Sequence, residues 1–102
     1  MKKLCKIEGE KVHDVSDIYE QVGSQIVPGD AQWEKNMDSF NDILSGAFRD
    51  PGDDDGIAIV WEHAEESQRS LGDEKFQQLL KAIRDHGPEG KKSQDQVRLH
   101  LA

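Results

Sequence analysis

Three short apolar runs, Leu4-Cys5-Lys6-Ile7, Ile57-Ala58-Ile59-Val60-Trp61 and Val97-Arg98-Leu99-His100-Leu101, are separated by two long stretches that each carry helical periodicity twice. Strands so far apart in the chain are not joined by hairpin turns, and helical crossovers bring successive strands side by side and parallel. The order β-α-α-β-α-α-β therefore predicts an α/β fold, a small three-stranded parallel sheet packed with about four helices through right-handed connections. A length of 102 residues suffices to close one core, so residues 1–102 are read as a single domain. The unbroken middle run suits a strand covered on both faces, while the alternation in the last run predicts one more polar face.

Between the strands, Val15, Ile18, Tyr19 and Val22 keep i, i+3, i+4, i+7 spacing, with Asp14 or Ser16 to cap the helix and Gly23 to stop it. Residues 24–35, with Pro28-Gly29-Asp30 and no sustained period, read as a loop whose tip is free to meet a partner. After Trp61, Ala64 and Leu71 mark a short helix ended by Gly72. Asp73 is the expected cap of the next one, whose stripe is Phe76, Leu79, Leu80 and Ile83 and whose stop is Gly87-Pro88. Residues 91–95 read as a loop.

The remaining helix, opened by Asn36 as N-cap, separates most sharply into two sides. At roughly 100° per residue, Met37, Phe40, Ile43, Leu44, Ala47 and Phe48 fall within an arc of about 140°. Asp38, Ser39, Asn41, Asp42, Ser45 and Gly46 occupy the outward side. Asp38 lies in the first turn, where the helix dipole favours an anion. Asp42 lies mid-helix with Asp38, Ser39, Ser45 and Gly46 at ±3 and ±4, so dipole and local pairing both fail to account for it. It reads either as a solvated Asp or as a group reserved for a partner's positive site.

Lys and Arg number 13 against 21 Asp and Glu, a formal charge of −8. That balance argues against direct binding to nucleic acid or anionic membranes and favours a basic partner. Charged residues interrupt any apolar run after Lys2-Lys3, so no signal peptide is expected, and no apolar stretch approaches the roughly 20 residues of a membrane helix. The lone Cys5 forms no internal disulfide and reads as a core residue of a cytosolic protein. Asp53, Asp55, Gly56 and Glu62 fall at calcium-loop spacing, but Pro51 would stand at the first position and an apolar strand in the second half, so a solvated acidic turn is the better reading. His13, His63, His86 and His100 are scattered and read as surface or helix-end residues, with no metal or cofactor implied. No glycine-rich phosphate loop or nucleophile–base signature points to an enzyme.

The segment Asn36-Met37-Asp38-x-Phe40-x-Asp42-x-Leu44-x-Gly46 is similar to a run of the barstar family of ribonuclease inhibitors. The Ile7-x-Gly9-Glu10 turn, Ser16-Asp17 at a helix start, and Trp61 followed by Ser67 add to the resemblance, which spans nearly the full chain. It implies a barstar-like fold and a cytoplasmic immunity protein forming a 1:1 heterodimer with a basic ribonuclease toxin. Asp42 would then correspond to the carboxylate that enters the nuclease's phosphate-binding site, and Asp38 to a supporting acidic contact. Asn41 stands where the family has a Trp, and Gln32-Trp33 where it has paired Tyr residues. Gln32, Trp33, Glu34, Asn41 and Ser45 are the expected flanking contacts; Trp33 itself is divided between interface anchor and loop residue. The alternative is an acidic protein-interaction module that inhibits no nuclease.

Overall fold

The structure, a computed structural model, describes residues 3–48 and 56–102. Strands β1 (Lys3–Glu8), β2 (Ile57–Glu62) and β3 (Val97–Leu101) run parallel in the order β1-β2-β3, with Cys5 beside Ile59 and Ile59 beside Leu99. Helices α1 (Val15–Ile26) and α2 (Met37–Leu44) connect β1 to β2, and α3 (Ala64–Leu71) and α4 (Asp73–Asp85) connect β2 to β3. Short 3-10 turns cover Gly9–Lys11 and Ser93–Asp95. The α/β order read from the sequence is the order observed.

One face of the sheet is the core side. Cys5, Ile7, Ile57, Ile59, Trp61 and Val97 are buried there with Ile18, Val22, Phe40, Ile43, Leu79 and Ile83 from the helices. Along β2 burial alternates, with Ala58 and Val60 half-buried on the other face. Coverage on both faces is therefore not what the structure has. Ala58 lies between Leu4 and Arg98, and Val60 between Lys6 and His100. Long cross-strand side chains, rather than a second layer of helices, shelter these two apolar residues.

The two sheet edges differ. On β1, the Gln25 amide donates to the Lys6 carbonyl at 2.7 Å and accepts from its N–H at 3.0 Å. Gln21 does the same at Glu8, at 3.2 and 2.6 Å. On β3, Val97 N–H points outward to the His86 carbonyl at 2.9 Å, while Ala102 N–H points inward to Trp61. By that alternation the main-chain groups of Leu99 and Leu101 face outward, and no hydrogen-bond partner meets them among the described residues.

Two helix ends depart from expectation. Gly23 does not stop α1, which runs to Ile26. A Cβ at Gly23 would lie 2.3 Å from the Trp33 indole, so this glycine makes room for a ring rather than ending a helix. Asp73 is the first helical residue of α4, not its cap; Gly72 at φ 87° precedes it, and the Asp73 carboxylate accepts from Gln68 at 2.9 Å. The start of α1 does close as expected at Asp14, in a capping box with Asp17.

Candidate functional site

At eight residues, α2 is below the roughly 12–15 at which an isolated helix holds in water. Packing supplies the difference. Phe40, Ile43 and Leu44 are fully buried, at about 1.5–3 kcal/mol each, and the Phe40 ring meets Tyr19 of α1 at 5.1 Å between centroids. Asn36 caps the start, its side-chain oxygen accepting from Ser39 N–H at 2.8 Å. The helix ends at Leu44 and Gly46 turns the chain at φ 91°. Ala47, expected on the buried arc, is therefore exposed, while Phe48 still packs partly on the core.

The opposite side carries exposed Asp38, Asp42 and Ser45. Neither aspartate makes an ion pair among the described residues. Asp38 has the dipole of its own helix; Asp42 has no local partner, as its sequence neighbours required. Before the helix, Gln32 and Glu34 are exposed, and the Glu34 carboxylate accepts from the Asn36 amide at 2.9 Å. Lys35 pairs with Glu20. Trp33 is half-buried, its indole seated against Gly23 and the core, so the loop is pinned to α1 by the ring proposed as an anchor.

Asn41 does not lie wholly on the outward side. It is half-buried, and its Oδ1 lies 3.0 Å from Nε2 of His86. His86 is likewise no surface residue: it caps the C-terminus of α4 but is only 1% exposed, and its Nδ1 lies 2.6 Å from the Asp95 carboxylate. A polar chain thus crosses from α2 through the end of α4 to the turn before β3. The spacing held a signal for it, since His86 continues the stripe of Leu79 and Ile83 at i+7 and i+3.

The residues of the acidic turn, Asp50 and Asp53 to Asp55, lie outside the described residues, and with them the first half of the calcium-like spacing. Glu62 pairs with Lys6 at 3.4 Å. Glu10, His63 and Glu66 bring one ligand atom each within 4.8 Å of one another, but all three are exposed, with His63 lying 3.9 Å from Glu10 and 3.8 Å from Glu66 on the surface. No helix among the described residues is long and apolar enough to cross a membrane.

A protein-family model, Barstar, described as barnase inhibitor, matches residues 2–102. No curated protein matches the chain. A match over that length shows that the chain belongs to the barstar family.

Proposed function

We propose that this member of the barstar family is an intracellular immunity protein that inhibits a ribonuclease, presenting the Asp42 carboxylate where a substrate phosphate would bind. The observation that carries the reading is Asp42 itself, exposed and without an ion pair among the described residues, midway along a helix whose Phe40, Ile43 and Leu44 are fully buried. A ribonuclease holds its scissile phosphate with cationic groups, and a carboxylate fixed on a rigid element accepts the same charge-assisted hydrogen bonds. Asp38 adds field from one turn away. Gln32, Trp33, Glu34 and Ser45 flank the carboxylate and supply the fit that distinguishes one nuclease from another. The expected complex is a 1:1 heterodimer with a basic ribonuclease toxin in the cytoplasm, and barnase itself is expected to bind poorly because Asn41 and Gln32 replace the family's large aromatics.

The test is co-purification with the product of the adjacent gene, followed by an RNA-cleavage titration with that partner. Asp42→Ala is expected to weaken inhibition by at least about 2 kcal/mol, roughly 30-fold, a range for which the barnase–barstar pair is itself a reference case. Asp38→Ala should cost less. The Asp42→Ala fold should be as stable as the parent or slightly more so, because a like-charged i,i+4 pair is relieved. Normal inhibition by Asp42→Ala would overturn the mechanism. Tight binding of the parent with no effect on cleavage would favour the acidic interaction module instead.

A further inference from the structure

We infer that Asn41, His86 and Asp95 form a positioning device that fixes the rotation of α2 about its own axis, so that His86 governs through Asn41 where the Asp42 carboxylate points. The inference draws its functional weight from the reading of Asp42 just given, and its geometry stands apart from it. Phe40, Ile43 and Leu44 seat the helix on the core, but apolar burial is non-directional and tolerates rotation. A hydrogen bond does not. Asn41 sits between buried Phe40 and exposed Asp42, where a bond to the interior sets the azimuth of both neighbours.

The base of the device is firm. The His86 main chain closes the end of α4, and its carbonyl accepts from Val97 N–H at the start of β3 at 2.9 Å. The ring has both nitrogens engaged, Nδ1 toward Asp95 at 2.6 Å and Nε2 toward Asn41 at 3.0 Å. Releasing Asn41 strands a polar atom of a ring that is 1% exposed, and leaving a buried polar group unpaired is costly. The ring therefore holds Asn41 rather than leaving it to solvent. This also gives a physical use to a polar residue at a place where the family carries a large aromatic.

The experiment uses the free full chain. Amide hydrogen exchange and residual dipolar couplings are measured for the parent, His86→Phe, Asn41→Leu and their combination. Removing the bond while filling its volume should speed exchange of the α2 amides about tenfold and turn the α2 N–H vectors, with α1, α4 and the sheet unchanged in Asn41→Leu and with only the end of α4 and the turn before β3 also affected in His86→Phe, which removes the Asp95 partner as well. At α2 the combination should add nothing to either single change. Unchanged α2 exchange and orientation, or acceleration spread evenly over all elements, would overturn the inference. Should His86→Phe not fold, Asn41→Leu at a half-buried site decides alone. Normal inhibition by Asp42→Ala would remove the proposed mechanism and leave each of these outcomes as informative as before.

Discussion

Cys5 has no exposed surface at the centre of β1, and desolvation, opposed more weakly by the Lys3 charge, pushes its thiol up to about 12. The thiolate is the reactive form, so the native thiol is inert. The pH dependence has a definite sign. From the ordinary value of 9.0 upward the unfolded chain loses this proton, while the native chain keeps it until about 12, so stability present below 9 drains away as pH rises through that window. A thiol-specific reagent at pH 8 is expected to label the protein only as fast as it unfolds, and Cys5→Ala should show a shallower decline of urea stability between pH 9 and 12. Labelling of the native protein at the rate of an unstructured peptide would contradict the burial. At this scale the sequence separated two neighbours unequally. The exposure of Asp42 followed from its own spacing, whereas the inward turn of Asn41 depended on His86, a residue 45 positions later whose burial only tertiary structure creates.

Trp61 and Ser67 tie β2 to α3. The indole N–H donates to the Ser67 hydroxyl at 2.9 Å, and the hydroxyl donates to the Gly9 carbonyl, also at 2.9 Å, so one buried serine joins the strand, the helix and the first 3-10 turn. Ser67→Ala leaves a donor and an acceptor unpaired and should cost about 2 kcal/mol or more in urea unfolding, against less than about 0.5 for Ser70→Ala on the exposed side of the same helix. Comparable costs for the two would mean that the network contributes nothing. Element order was legible because each helix and strand keeps its own hydrophobic period. Element ends were less so. Gly23 looks like a stop until Trp33 is folded onto it, and Asp73 looks like a cap until Gly72 takes the non-helical turn. The coverage of β2 was misjudged for a similar reason: a run of apolar residues does not say whether helices or neighbouring strands shelter its second face.

The molecule as a whole carries −8, with Asp38 and Asp42 exposed on the candidate binding helix. Association with a basic ribonuclease should therefore be fast and slowed by salt. A stopped-flow on-rate that changes less than about twofold between low and physiological ionic strength would rule out electrostatic steering. The unequal sheet edges have a different consequence. In the language of step-growth polymers, a monomer needs two reactive ends to build a chain, and a monomer with one end can only pair. Here Gln21 and Gln25 occupy the outward main-chain groups of Glu8 and Lys6, while those of Leu99 and Leu101 meet no partner among the described residues. Strand addition at β3 would pair two copies, while the glutamines of α1 occupy the Lys6 and Glu8 positions at which the opposite edge would have to extend the fibre.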